Sequence, residues 1–330
     1  MNIYIAGMLI ALVRVKYFFY STRKIGVFMS MLKKTTLALT ISALAGGALA
    51  QSAPAPAPAP APATSPITAN VTVVNDYRYR GMTQSNYKPA IQGGFDYAHE
   101  SGFYIGNWNS SISWISDGYP ANTTGGNTTT QSVSAPLEMD FYAGFKKELI
   151  GAGFASDVGI LQYYYATTNM PRNTCTATSA AARNGCGANP NTTELYAAQN
   201  FTFGPLTGFI KVSYALTNIF GIYESKGSYY PDLTLNYDTG FEGITLNAHV
   251  GYQYVAGTKT VSGKKYDFSY SDYKFGMTKD FGGGLAGSIA YVGTSQPKGN
   301  GQYLWYVPTN SGPLKSMGKG GGLISLTKTF

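Results

Sequence analysis

Charged side chains are scarce in this chain: only 12% of its 330 residues are Asp, Glu, Lys or Arg. It also contains only 2 His and 2 Cys, so the usual ligands of a zinc site are nearly missing. After residue 50, no uninterrupted apolar run approaches the ~18 residues that a membrane-spanning helix needs. These shortages argue against a helical enzyme, a zinc protein and a helical membrane protein.

Glycine and tyrosine are abundant instead, with 40 Gly and 27 Tyr. From residue 67 onward, stretches of alternating apolar and polar residues are separated by short and long connections in turn. The short connections are residues 99–102, 151–153, 204–205, 240–243 and 282–284. The long connections are residues 115–135, 168–192, 218–228, 256–267 and 295–319. This rhythm is typical of a bacterial outer-membrane barrel, which has short periplasmic turns and longer external loops.

Twelve stretches have the alternation of strands and are long enough to cross a bilayer at a tilt. They are residues 67–80, 88–99, 102–114, 136–148, 154–167, 193–203, 206–217, 229–239, 243–255, 268–281, 284–294 and 320–330. An even number of strands places both termini on the periplasmic side. The sequence therefore predicts an all-β fold, a transmembrane antiparallel up-and-down β-barrel of about 12 strands over residues 67–330.

The alternation also assigns the two faces of each strand. In the fourth strand, Leu137 and Phe141 oppose Glu138 and Asp140. In a lipid-embedded barrel the apolar set faces acyl chains and the polar set faces the lumen, whereas a soluble barrel inverts this.

Aromatic residues gather near strand ends. We expect an external belt of Tyr77, Tyr79, Trp114, Tyr163, Tyr165, Tyr252 and Tyr254. We expect a periplasmic belt of Tyr97, Phe103, Phe145, Phe154, Phe201, Phe203, Tyr237, Phe281 and Phe330.

The polar face predicts which side chains line the interior. The pore-lining candidates are Asp76, Arg78, Arg80, Asp96, Glu138, Asp140, Lys146, Lys211, Asp232, Asp238, His249, Asp272 and Lys274. Side chains of both signs suit a charged pore that filters small solutes, and they equally suit a salt-bridge network that fills a narrow barrel. Twelve strands lie between the narrow and the wide barrels, so the sequence leaves both interpretations open.

The first 66 residues precede the predicted barrel. Residues 31–50 have the features of a secretory signal peptide: Lys33 and Lys34, then an apolar core, then the small-residue cleavage site ending at Ala50. We interpret residues 1–30 as an extension from a start codon assigned too far upstream; the alternative is an unusually long n-region. Residues 51–66 are an Ala-Pro-rich periplasmic linker, semi-rigid because alternating Pro favours extended backbone.

Cleavage of the signal changes the charge of the chain. The precursor carries +8, and six cations with no carboxylate precede the cleavage site, which leaves +2. So small a charge gives no reason to expect a nucleic-acid partner.

Cys175 and Cys186 lie in one long loop of a secreted chain, so we expect a disulfide between them. That loop and residues 295–319 are the two candidates for a plug in the lumen.

The chain ends on an amphipathic strand that finishes with Phe330. Outer-membrane barrels commonly end this way, and the barrel-assembly machinery reads the terminal strand, so we expect this machinery as a partner. Lys328 departs from the pattern at an outward position, where a lysine can reach the headgroups. The other expected partners are outer-membrane lipid, lipopolysaccharide and small solutes.

Several segments of the first half resemble one family. They are ANVTVVNDYRYRG from Ala69 to Gly81, KPAIQGGFDY from Lys88 to Tyr97, HESGFY from His99 to Tyr104, GNW from Gly106 to Trp108, and EMDFYAG from Glu138 to Gly144. This set is similar to the TorF family of proteobacterial porin-like proteins, and the similarity is dense only before about residue 145. The resemblance implies an outer-membrane barrel, and less directly a transport function.

Three functions follow from these patterns. The first is an outer-membrane porin-like channel for passive diffusion of small hydrophilic solutes or ions. The second is a closed structural or surface-binding barrel that acts through its external loops. The third is a barrel hydrolase; since GxSxG, HExxH and EF-hand patterns are missing, we expect no enzyme and assign no catalytic, cofactor-binding or metal residue.

Overall fold

The computed structural model describes most of the chain after residue 65. The described residues are 66–118, 133–170, 189–222, 224–257, 259–261, 264–299, 302–307 and 315–330. Residues 1–65, which carry the predicted signal peptide and nearly all of the linker, lie outside this part, as do Cys175 and Cys186. Within the described residues, no helix has the length and apolarity to span a bilayer.

Twelve antiparallel strands form one closed barrel, in which each strand pairs with its neighbours in sequence. The strands are β1 Ile67–Val74, β2 Ala90–Ala98, β3 Phe103–Ser111, β4 Leu137–Gly151, β5 Phe154–Tyr165, β6 Thr192–Phe203, β7 Leu206–Ala215, β8 Tyr229–Asp238, β9 Ile244–Gln253, β10 Tyr270–Gly282, β11 Leu285–Thr294 and β12 Gly321–Thr329. The barrel closes where β1 pairs with β12, Asn70 opposite Thr329. This confirms the predicted all-β, up-and-down barrel and its strand count.

The side chains alternate between the two faces as predicted. On β4, Leu137 and Phe141 are 36% and 45% exposed, whereas Glu138 and Asp140 between them are 1% and 2% exposed. The outside of the barrel is therefore apolar and the inside is polar, as a lipid-embedded barrel requires.

Glycine is required where the short turns bring backbones together. Gly284, between β10 and β11, has φ +80, and a Cβ at this position would lie 2.4 Å from the Thr329 carbonyl oxygen of β12. A side chain there would clash with the end of the closing strand. The tight turn and the barrel closure therefore depend on the same residue.

The first strand is shorter than predicted. β1 ends at Val74, whereas the sequence predicted a strand to residue 80. Residues 75–89, called the inward segment below, leave the wall and make a small hairpin in which Arg78–Tyr79 pairs with Met82–Thr83. Arg80 and Gly81 between them both have positive φ, as in a two-residue hairpin turn.

The barrel has short turns at one end and longer loops at the other. The loops include further short elements. They include α1 Trp114–Gly118 and three further short hairpins. The hairpins pair Lys259–Val261 with Lys264–Tyr266, Lys298–Gly299 with Gln302–Tyr303, and Tyr306–Val307 with Lys315–Ser316. Below, this end is called the loop end and the other end the turn end.

The two predicted aromatic belts differ in outcome. At the turn end, Phe103, Phe203 and Phe281 are exposed on the outside, as expected. At the loop end the prediction was wrong for Tyr77, Tyr79, Tyr163 and Tyr165, which the barrel encloses. Tyr77 and Tyr79 belong to the inward segment. Tyr163 and Tyr165 lie on the inner face of β5, where Tyr164 between them points outward with 44% exposure.

Candidate functional site in the barrel interior

Arg80 of the inward segment contacts three strands of the barrel wall, β6, β8 and β9. Its Nη2 donates to Oε2 of Glu194 on β6 at 2.6 Å, and its Nη1 donates to Oε1 of Gln253 on β9 at 2.5 Å. The guanidinium also lies over the Tyr230 ring of β8, 4.3 Å from its centroid. The side chains of Arg80 and Glu194 are 6% and 2% exposed. One buried guanidinium therefore holds the segment to three strands.

Further contacts fasten the inward segment to the wall. The Tyr77 hydroxyl donates to Glu138 of β4 at 2.6 Å, and the Tyr79 hydroxyl bonds the Tyr163 hydroxyl of β5 at 2.7 Å. Burial, together with the nearby Glu138 carboxylate, raises the pKa of Tyr77 well above its ordinary value, so this phenol remains a proton donor. A Cβ on Gly81 would lie 2.8 Å from Cβ of Asp272 on β10. The segment therefore crosses the loop end of the lumen.

Neighbouring loops close over the segment. The backbone N–H groups of Ser113 and Trp114 donate to the Gln84 carbonyl at 2.9 and 3.1 Å. From the last loop, the Met317 carbonyl accepts from the Thr83 N–H at 2.9 Å. Residues 295–319, one of the two predicted plug candidates, are described in part and contact the inward segment through Met317. The cysteine loop, the other candidate, lies mostly outside the described residues, and both stay predictions.

Strands β2 to β6 carry a tyrosine–carboxylate wall. The Tyr142 hydroxyl donates to Asp96 at 2.5 Å, and the Tyr104 hydroxyl donates to Asp157 at 2.6 Å while also contacting the Tyr196 hydroxyl. All five side chains are buried. Three large phenols and two carboxylates therefore pack this side of the lumen.

Strands β7 to β11 carry a lysine–histidine wall. Lys211 pairs with Asp232 at 3.3 Å, and Nε2 of His249 lies 3.0 Å from Oδ1 of Asp272. The hydroxyl of Thr234 bonds Nδ1 of His249 at 3.0 Å. The side chains of Lys211 and His249 keep 14% and 18% exposure, more than the 2–5% of the tyrosine–carboxylate residues. Lys211 and His249 are therefore the more exposed side chains of this wall, whereas Asp232 and Asp272 are 5% and 2% exposed.

The predicted interior residues occupy three kinds of position. Asp96, Glu138, Asp140, Lys146, Lys211, Asp232, His249, Asp272 and Lys274 lie on the barrel strands with their side chains buried or half-buried. Asp76, Arg78 and Arg80 lie on the inward segment, where Arg78 pairs with Asp76 at 2.5 Å. Asp238 is exposed at the turn end, where its Oδ1 accepts from the Gly240 N–H at 2.9 Å. Their role in lining a pore stays a prediction.

Asp140 is a buried carboxylate without a described partner. Its Oδ1 has no hydrogen-bond donor among the described residues. Its cross-strand neighbours Trp108 and Tyr163 are buried, and so is Glu138 two residues before it. The loop end therefore gathers three buried carboxyl groups, Glu138, Asp140 and Glu194, of which Arg80 pairs with Glu194.

Sequence reasoning missed Asp157, Glu194, Gln253 and Tyr230 as functional side chains. Each lies at an inward-facing position of an alternating strand, and this pattern could have identified it. The neighbouring sequence does not indicate which distant side chain it contacts. Among the described residues, no group of three or more His, Cys, Asp or Glu side chains is arranged to hold a metal ion. The arrangement offers charged solutes carboxyl groups, ring faces and the Lys211 ammonium group as contacts.

The chain belongs to the family described as a bacterial protein of unknown function (Gcw_chp), which it matches over residues 58–330. A search of curated proteins finds no relative.

Solved structures similar to this barrel include two porins and an outer-membrane channel. The KdgM porin, solved with disordered oligogalacturonate, has 6% identity, with 80% of this chain and 97% of that chain covered and a TM-score of 0.43. The NanC porin has 8% identity, coverage of 79% and 98%, and a TM-score of 0.45. An outer-membrane channel from Pseudomonas putida F1 has 11% identity, coverage of 82% and 100%, and a TM-score of 0.43. At such identities the likeness concerns the fold alone.

Proposed function

We propose that this protein is a porin-like channel of the bacterial outer membrane, through which small hydrophilic solutes or ions diffuse passively. One observation carries the proposal: a closed wall that is apolar outside encloses polar side chains that remain partly exposed, namely those of Lys211 and His249. A barrel interior that served only as a packed core would bury such groups more completely.

In our proposal, the inward segment limits the conductance of this channel. It bonds to β4, β5, β6 and β9, and therefore crosses the lumen at the loop end. We infer that solutes pass beside it along the lysine–histidine wall, where the side chains are least buried. The size and charge of the solute are then selected at the loop end.

The cellular setting belongs to the same proposal. Signal cleavage after Ala50 would deliver the chain to the periplasm, and the assembly machinery would read the last strand through Phe330. The loop end would face outward, toward lipopolysaccharide. Membership of the TorF family, suggested by residues 69–108, is consistent with this setting.

A closed barrel that acts through its external loops is the second candidate. The observation that favours it is the inward segment itself, because its hydrogen bonds to β4, β5, β6 and β9 carry it across the loop end of the lumen. If the inward segment never moves away from the lumen, the barrel stays closed and serves as a rigid support for its loops.

Planar-bilayer recording separates the two candidates. The mature chain would be refolded in detergent, and its heat-modifiable migration on a gel would first show that the barrel has formed. The channel proposal expects discrete conductance steps, and Arg80→Ala should raise their size or frequency. If folded protein gave no steps, either as wild type or as Arg80→Ala, the closed-barrel function would replace the channel.

A further inference from the structure

The surroundings of Arg80 have the composition of a binding site for an organic cation. A carboxylate, an amide oxygen and an aromatic face are supplied by three different strands: Glu194 on β6, Gln253 on β9 and Tyr230 on β8. Two acceptors for separate N–H groups and a ring face for stacking match the planar, forked guanidinium better than the compact ammonium.

The cation in this site comes from the protein's own loop. Arg80 is at the tip of the hairpin in the inward segment, with φ 45 at its own backbone. The wall residues that hold its side chain are 114 and 173 positions away in sequence. The wall residues therefore form the site, and the hairpin tip of the inward segment fills it.

Arg78, two residues earlier, shows the contrast. Its guanidinium bonds Asp76 at 2.5 Å and the Gly81 carbonyl at 2.9 Å, both within the inward segment. It shapes the segment, whereas Arg80 attaches the segment to the wall. Only Arg80 occupies a site that would still exist if the segment moved away.

We propose that Glu194, Gln253 and Tyr230 form a recognition site for the guanidinium group of a solute, and that Arg80 occupies it as an internal substitute. A solute that enters from the loop end competes with Arg80 and releases the inward segment from the wall. Glu138 and Asp140 lie near this site on β4, and neither has a cation within ion-pair distance among the described residues.

This inference rests on the proposed channel only for the solute's passage onward, so its test uses binding rather than current. Ethylguanidinium chloride would be titrated into the refolded mature protein in micelles by calorimetry, with NaCl at equal ionic strength as the reference. Arg80→Ala empties the site, so it should bind ethylguanidinium about tenfold more tightly than wild type, in which the tethered Arg80 competes. Ethylammonium should bind Arg80→Ala more weakly, because it lacks the planar fork.

Two further variants make the result specific. Adding Glu194→Gln to Arg80→Ala should abolish the gained affinity, because the charged acceptor is lost. Arg78→Ala should bind no better than wild type, because its own site lies within the segment. If Arg80→Ala does not refold, Arg80→Asn replaces it, since Asn tolerates the positive φ at this position.

The proposal is overturned if Arg80→Ala and wild type bind ethylguanidinium equally, or if the gain survives Glu194→Gln. Equal binding of ethylammonium and ethylguanidinium would overturn its guanidinium specificity. A barrel that binds ethylguanidinium but never conducts would support the proposed binding site and refute the proposed channel. Failure of one proposal can therefore be distinguished from failure of the other.

Discussion

The two walls of the barrel interior use similar side chains in different ways. On the tyrosine–carboxylate wall, two buried carboxylates accept from phenols: Asp96 from Tyr142, and Asp157 from Tyr104. On the lysine–histidine wall, Asp232 pairs with Lys211, whereas Asp272 accepts from the Tyr230 hydroxyl and also lies beside His249. The first wall is held by phenol–carboxylate hydrogen bonds, and the second adds a lysine and an imidazole whose side chains are 14% and 18% exposed. We infer that the first stabilises the barrel and the second carries the selectivity.

Arg80 is the one described side chain that binds both walls at once through Glu194 and Gln253, so its removal should have the largest effect. Arg80→Ala leaves the Glu194 carboxylate buried and unpaired, which costs about 3 kcal/mol of unfolding free energy. Urea unfolding in micelles, followed by tryptophan fluorescence, measures this cost. Arg78→Ala is the control, and an equal loss in both variants would show that Arg80 has no special role in joining the walls.

The dependence on Arg80 also shows what the sequence could and could not predict. Strands and turns follow from local patterns: Glu138 and Asp140 alternate with Leu137 and Phe141, and each turn carries its glycines. These features were therefore predictable.

The inward segment was not predictable by the same means. The alternation of Tyr77, Arg78, Tyr79 and Arg80 continues that of β1, although Asn75 already ends the strand. The side chains that draw the segment inward lie up to 173 residues away, where no local pattern identifies them. The sequence thus identified the polar positions of the candidate site, but not which of these side chains contact one another.

Tyr142→Phe tests whether the tyrosine–carboxylate wall is structural. The variant keeps the ring but removes the donor to Asp96, and it should lower the unfolding free energy by about 1–2 kcal/mol. The same urea titration measures this loss. Ion selectivity, read as the zero-current potential across a salt gradient, should stay as in wild type. A changed potential with unchanged stability would reverse the roles we give the two walls.

Asp140→Asn should have a smaller effect, and one of opposite sign. The carboxyl Oδ1 is buried without a donor, so an amide of nearly equal shape removes the cost of burying an ionisable group there and should stabilise the fold by about 1 kcal/mol. Asp96→Asn is the matched control, because Asp96 has a phenol donor and its replacement should destabilise. A loss of stability in Asp140→Asn would mean that this carboxylate has a cationic partner in the folded protein.

Lys274→Gln should change stability least, within about 0.5 kcal/mol, since Lys274 makes no ion pair within 4.0 Å among the described residues. Its effect should appear in selectivity. Eight buried carboxylates already outnumber the interior cations of the described residues, so losing a cation from the accessible wall should move the zero-current potential toward cation selectivity. Lys146→Gln removes the same charge from the tyrosine–carboxylate wall, away from the path that we infer. The shift should therefore be smaller for Lys146→Gln, and equal shifts would show that ions sample both walls.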